Sequence, residues 1–362
     1  MFKIIGMTKL IWKLFKIVLT LLLAFLMYVV IGGVVPFLHH PDVSQTKKEA
    51  VESTQFYSDS AGPDRATIIE DNEEALKMRL RVIKDAKKTL ILSTFDFRSD
   101  DAGKDVLAAL LNVADRGVKA EIFADGFNSI IQMENNDYFY ALSSNKNIKI
   151  IIYNQVNILI PWNGLGRMHD KYVIADDSLY ILGGRNTFGY FLGDYAGHKN
   201  YDRDVLVYNT GSKDSSIYQI KDYYKKITSQ ECCSVFHYNE SLGEKNSVKK
   251  AEQELKNRYE SLENKYDKFL AENYDYKANT YETNKINLLS NPTSLYAKQP
   301  TVYYGLMYLA KNAKKEVKIH TPYIICNDYM YNELKNIKVP TTIMTNSAEN
   351  NGNIFGAVDY LN

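Results

Sequence analysis

One helix-then-strand pattern is written twice in this chain, and that constrains its fold more than any other feature. Ala86-Lys87-Lys88-Thr-Leu-Ile-Leu-Ser-Thr94-Phe95-Asp96 follows a helix-period stretch, and Ala313-Lys314-Lys315-Glu-Val-Lys-Ile-His-Thr321-Pro322-Tyr323 follows another. A supersecondary unit that recurs in the same order is read as one structural unit copied. In the first copy, residues 74–88 have the period of a helix, 89–95 that of a buried strand, and 102–116 that of a second helix closed by Gly117. Further strands are expected at 120–124, 148–153 and 171–175. In the second copy, Thr342-Ile-Met-Thr-Asn346-Ser347 stands where Glu121-Ile-Phe-Ala-Asp125-Gly126 stands in the first. Strands alternating with helices give an α/β fold, a duplicated sandwich with a largely parallel or mixed sheet.

The chain has 362 residues, 45% of them hydrophobic, enough to bury a sizeable core in more than one domain. A net charge of +1 supplies no broad basic field, which argues against a dedicated nucleic-acid binder. The cysteines Cys232, Cys233 and Cys326 are odd in number and lack metal-ligand spacing, so neither a disulfide framework nor a metal is expected.

Residues 17–38 hold no charge over 22 positions, enough to cross a hydrocarbon layer that needs about 20. Lys3, Lys9, Lys13 and Lys16 precede this run, and no lysine or arginine follows until Lys47. The amino terminus is therefore expected in the cytoplasm, with a single pass through the cell membrane and the body outside. A cleaved signal peptide is the alternative, although the run exceeds a usual h-region and no clear A-x-A site follows. Residues 39–64 are polar and read as a stalk. Val248, Leu255, Tyr259, Leu262, Tyr266 and Phe269 fall at helical steps and make one amphipathic connecting helix. The expected division is a tip and anchor at 1–38, a stalk at 39–64, a first half at 65–236, a connecting segment at 237–284 and an incomplete second half at 285–362.

The chemistry is concentrated in Arg167-Met-His169-Asp-Lys171-Tyr-Val-Ile-Ala-Asp176, followed by Gly183-Gly184-Arg-Asn186. In a strand the side chains alternate between faces, so His169 and Lys171 are expected on one side, while the Tyr172-Val173-Ile174 run is buried on both faces. Gly183 and Gly184 allow a turn to bring backbone close to a ligand, and Asn186 adds an amide donor. A phosphodiester needs such a set: a nucleophile for phosphorus, cations and donors for the non-bridging oxygens, and an acid for the leaving group.

These residues resemble the phospholipase D superfamily, whose signature is H-x-K-x4-D followed by G-[SG]-x-N, and more narrowly its bacterial cardiolipin synthase-like branch. The likeness takes in Asp115-Arg116-Gly117-Val118-Lys119 with Ile122-Phe123-Ala-Asp125, and Tyr201-Asp202-Arg-Asp204-Val205-Leu-Val207. It implies two motifs facing each other without metal or cofactor. On that pattern His169 is the candidate nucleophile, forming a phosphohistidine, and a second-copy histidine protonates the leaving alcohol. Lys171 and Asn186 would hold the non-bridging oxygens beside Gly183 and Gly184, with Asp176 in a supporting part. Asp202 would orient the imidazole by accepting its N–H, with Asp204, two residues on, as the fallback. Asp96, Asp125 and Tyr323 stand at strand ends, where cleft lining and turn chemistry are both open.

The implied activity is that of a membrane-anchored phosphatidyltransferase or phospholipase D, moving a phosphatidyl group to a lipid, an alcohol or water. Cardiolipin synthesis from two phosphatidylglycerols is its most specific form, with membrane phospholipid as substrate and the bilayer as partner. A phosphodiesterase or nuclease of the same superfamily is the runner-up, and an inactive scaffold the third reading. The second copy shows no H-x-K of its own up to residue 362, and His320 is followed by Thr321-Pro322. The second motif is accordingly expected in cis beyond residue 362, or otherwise from a homodimer.

Overall fold

A computed structural model describes residues 2–347 except 40, 238–239, 268, 271–273 and 292. The expectation about how the second half ends falls on 348–362, outside the described residues.

The elements run α1 (Phe2–Val34), α2 (Gln45–Glu52), β1 (Asp64–Ile69), α3 (Asn72–Asp85), β2 (Thr89–Thr94), α4 (Asp101–Asp115), β3 (Lys119–Asp125), α5 (Gly126–Gln132), α6 (Asp137–Ser143), β4 (Ile148–Tyr153), β5 (Tyr172–Ala175), β6 (Leu179–Gly183), β7 (Asp204–Asn209), α7 (Ile217–Thr228), β8 (Cys233–Val235), α8 (Glu240–Gly243), α9 (Asn246–Lys265), β9 (Tyr281–Glu282), α10 (Thr301–Lys311), β10 (Val317–His320), α11 (Asp328–Lys335) and β11 (Thr341–Met344). They form two units. The first comprises Met1–His39, Phe56–Leu288 and Pro292–Ala297, and the second the remaining residues.

The first unit is built on a nine-stranded mixed sheet in the order β8-β4-β3-β2-β5-β6-β7-β1-β9. β2, β3 and β4 are parallel, because helices return the chain to the same edge between them. β5, β6 and β7 are antiparallel neighbours joined by shorter connections. Along β5, Val173 and Ala175 enter one core while Tyr172 and Ile174 enter the other, so the strand is buried on both faces as its composition implies. α3, α4, α6 and α9 supply the first core; Ile217, Ile220, Tyr224 and Ile227 of α7 supply the second. α9 buries Val248, Leu255, Tyr259 and Leu262, so the connecting helix docks by its apolar stripe. Gly117 ends α4 at φ +96°, and Val118 N–H bonds Val113 O, the left-handed closure expected of a glycine there.

α1 leads into an apolar segment, Leu10–Phe37, which among the described residues is the one helix long and apolar enough to cross a membrane. Its large side chains, such as Leu21 and Leu22, are exposed.

The second unit repeats the helix-strand-helix-strand order as α10, β10, α11 and β11, with β10 and β11 parallel as β2 and β3 are. The stretch read as a stalk is partly folded into this unit. α2 lies in it, Val43 and Val51 are buried, and Tyr304 Oη donates to the Glu52 carboxylate. Two apolar residues are too few to show a period, and the partners that bury them come from the far end of the chain.

Candidate active site

The ends of the central strands of the first sheet collect the chemistry. The start of β5 pairs with the end of β2 (Tyr172 with Ser93) and the end of β6 (Leu182), and Gly183 pairs with Asp204 at the start of β7. Antiparallel pairing thus brings together the residues before β5, after β2, after β6 and before β7. These are His169 and Lys171, Phe95 and Asp96, Gly184 and Asn186, and Asp202.

His169 and Lys171 do meet, though not by strand alternation, since the ladder begins one residue later at Tyr172. Lys171 Nζ lies 3.0 Å from His169 Nδ1 and donates to His169 O at 2.8 Å. Either the ammonium donates to a bare Nδ1, or an Nδ1–H donates to a neutral amine. His169 is exposed, whereas Lys171 is 7% exposed. Burial pushes the Lys171 ammonium down to about 8, with Asp170, Asp202 and Asp96 partly offsetting it.

Phe95, the residue after β2, was legible only as a strand end, yet it forms the platform of the pair. Its ring centroid is 4.4 Å from that of His169, and Lys171 Nζ is 5.5 Å from the same centroid. Asn186 Oδ1 accepts the Asp96 N–H at 3.2 Å, which orients the amide so that its NH2 is the end left to donate. Asp96 Oδ2 takes two bonds from Arg98, at 3.0 and 2.7 Å.

Asp125 is the second residue whose importance only contact reveals. Fully buried, it accepts from Arg167 Nη2 at 2.6 Å, Arg167 Nε at 2.9 Å and Met168 N at 3.0 Å, while capping α5 through Phe127 N and Asn128 N. It clamps the chain immediately before His169.

Asp176 is not brought to this cluster. It sits at the other end of β5, at φ +53°, and its carboxylate accepts the N–H groups of Lys87, Lys88 and Thr89 at 2.8 to 2.9 Å. Its part is to fasten the start of β2 to the β5–β6 turn, at a left-handed position that Asp tolerates. The fallback Asp204 is also corrected. Because β7 begins at Asp204, residues 202 and 204 share no strand periodicity, and Asp204 turns inward to Arg79 Nη1 (2.8 Å) and Arg185 Nη1 (3.2 Å). Asp202 stays exposed within electrostatic reach of Lys171, with Oδ1 held by Arg203 N at 2.7 Å.

The two glycines make room for carboxylates rather than for backbone alone. A Cβ on Gly183 would lie 1.9 Å from Asp204 Oδ1 and 2.5 Å from Arg203 O; on Gly184 it would lie 2.1 Å from Asp202 Oδ2. Gly183→Ala must therefore displace a buried carboxylate and a main-chain carbonyl. We expect it to lower the thermal midpoint by an amount equivalent to about 1–3 kcal/mol, the cost of overpacking, read by calorimetry. An unchanged midpoint would show that the turn relaxes freely.

Residues 80–227 match the family described as "Cardiolipin synthase, PLD-like domain". Cardiolipin synthase B of Salmonella typhi is 31% identical over 142 residues, covering 39% of this chain and 34% of that protein. The chain thus spans about a third of the length of the cardiolipin synthases it matches. An uncharacterised protein of Helicobacter pylori is 26% identical over 309 residues, covering 78% of this chain and 59% of that one. Among solved structures, phosphatidylserine synthase of Haemophilus influenzae Rd KW20 superposes with a TM-score of 0.55 over 88% of this chain and 72% of its own, at 13% identity, a likeness of fold. The matched segment contains the whole His169 cluster, and over residues 80–227 the chain is similar to the phospholipase D-like domain of the cardiolipin synthase family.

Proposed function

We propose that this is a membrane-anchored phosphatidyltransferase of the cardiolipin synthase type, working through a phosphohistidine at His169. The observation that carries the reading is the pairing of an exposed imidazole with a buried lysine 3.0 Å away, with the Asn186 amide held at the neighbouring strand end through its Oδ1. A nucleophile must be reachable, whereas the groups that hold oxyanion charge act best where water is excluded.

In the first step an imidazole nitrogen of His169 bonds to phosphorus and the bond to the leaving alcohol breaks. That alcohol takes its proton from the histidine of a second motif, supplied in cis or by a second copy. An acceptor hydroxyl then attacks phosphorus, gives up its proton to that histidine, and releases His169. Lys171 and the Asn186 amide hold the non-bridging oxygens, and Asp202 Oδ2 is available to orient the imidazole. Phosphatidylglycerol serves as donor and acceptor in the specific form of the proposal.

Thin-layer analysis of lipids from cells expressing the full-length protein, with His169→Ala as control, tests it. Phosphatidylglycerol converted to cardiolipin only by the unmodified protein supports the reading. Unchanged lipids together with cleavage of a single-stranded oligonucleotide would replace it with the nuclease alternative.

The pH dependence follows from Lys171. The cation is present below about 8 and lost above, so turnover should fall as pH rises through that value. Stability runs the other way: burial disfavours the charged form in the folded chain, so stability rises from about pH 8 towards the ordinary lysine range. Lys171→Arg should remove the alkaline limb from the rate profile, since a guanidinium does not titrate there. A limb that persists in that variant would assign it to another group.

A further inference from the structure

Between β4 and His169 the chain makes a loop with no charged residue from Asn154 to Gly166. Its base is fastened. Asn154 Nδ2 donates to Asn163 O at 2.7 Å and Gly166 O at 2.8 Å, drawing the two ends together, and Gly166 lies so close to Leu295 that a Cβ would sit 2.6 Å from its backbone. The tip is the reverse of what water selects, for Ile158, Leu159 and Leu165 are each more than half exposed, at 58, 65 and 54%, and Trp162 is 39% exposed. Such a group of large apolar side chains on one loop marks an interaction surface.

Part of the tip's backbone is satisfied within the loop. Leu159 N–H bonds Asn157 Oδ1, and the N–H groups of Ile160, Asn163 and Gly164 bond carbonyls three residues back within the loop. Pro161 has no N–H. Leu159 O is met by the hydroxyl of Tyr28 in α1, at 2.8 Å. Each such bond removes part of the cost of taking non-helical backbone out of water.

α1 identifies the occupant. The Tyr28 ring meets Trp162 edge-on at 6.5 Å, and Gly32 is so close to Pro161 that a Cβ would lie 2.6 Å from its Cγ. Tyr28 and Gly32 both lie inside the apolar segment Leu10–Phe37. A loop packed there shares its level with the segment's own lipid-facing side chains. The apolar surface of the tip is thus continuous with that of α1, and both belong to the same first unit.

We propose that residues 154–166 form a second membrane-inserting element, dipping Ile158, Leu159, Trp162 and Leu165 into the leaflet beside the carboxyl-terminal end of α1. This rests on the reading that α1 spans the bilayer. Arg167 and His169 follow the loop directly, so insertion holds the nucleophile at the level of the lipid phosphates, with a tryptophan at the interface as in aromatic belts.

The chain's two tryptophans, Trp12 and Trp162, separate the two readings. The chain carrying Trp12→Phe, reconstituted in phosphatidylcholine–phosphatidylglycerol vesicles, reports Trp162 alone; the Trp162→Phe chain reports Trp12 in α1. With lipids brominated along the acyl chain, Trp162 should lose most of its emission and be protected from iodide. Quenching by iodide but not by bromolipid would place the loop in water, and protection from both would place protein over it; either result overturns the proposal. If Trp12 is also unquenched by bromolipid and the protein washes off in alkaline carbonate, the anchor reading has failed as well. If Trp12 is quenched and Trp162 is not, the loop proposal fails alone.

Discussion

His169→Ala should abolish lipid turnover while leaving the protein folded. On the proposed mechanism the substitution removes the covalent nucleophile and with it the intermediate, and losses on the order of 10⁴- to 10⁶-fold are typical for such groups. No neighbour replaces it: Lys171 is buried and Asp202 is an anion that would face an anionic phosphodiester. The side chain is exposed and precedes the strand, so its loss opens no cavity, and the melting temperature should move little. The same variant supplies the decisive chemical readout. With phosphate-labelled lipid the unmodified protein should carry label that is stable to alkali and released by acid, as a phosphorus–nitrogen bond requires, and His169→Ala should carry none. A variant that melts normally and keeps most of its turnover would remove His169 from the mechanism.

Asp204→Ala should be the most destabilising single change near the site, and for a different reason. Asp204 is fully buried between Arg79 and Arg185, themselves 4 and 1% exposed. Arg185 has further acceptors in Ile69 O, at 3.1 Å, and Asn72 Oδ1, at 3.2 Å, but Asp204 is the anion that both guanidinium groups share. Deleting it leaves two buried cations without their counter-charge, and breaking a buried pair in this way costs about 3–5 kcal/mol. Arg185 lies between Gly184 and Asn186, so the turn that aims the Asn186 amide should loosen too. Thermal unfolding in detergent should show a large drop in midpoint, and adding Arg79→Leu should recover part of it by removing one of the stranded charges. A midpoint unchanged by Asp204→Ala would mean that the two arginines are adequately satisfied by backbone carbonyls.

These two variants separate what could be read from residues from what needed contacts. The strands and helices of the first half follow the written periods closely: the stretch 89–95 became β2, 148–153 became β4, and Gly117 closed α4 at a positive φ. Local propensity and burial agree there, and such segments are legible without a partner. The convergence of His169, Lys171 and Asn186 was legible from spacing, although alternation along a strand was not its cause. The contacts of Asp176, Asp204 and Phe95 were not legible, because the part each plays depends on residues brought from elsewhere. Asp176 meets 87–89 across the β2–β5 pairing, Asp204 meets Arg79 from α3, and Phe95 meets His169 only where β2 ends beside the start of β5.

The sequence by itself determined the repeated α/β order, the apolar amino-terminal segment and the spacing of the His169, Lys171 and Asn186 motif, because these reside in residue type and short-range period. Tertiary structure alone decided which carboxylates lie within reach of Lys171, which is consumed by arginines and which fastens a turn. Neighbouring aspartates are chemically identical until the fold assigns each its burial and its counter-charge, and those long-range terms set whether a carboxylate supports a fold or a reaction.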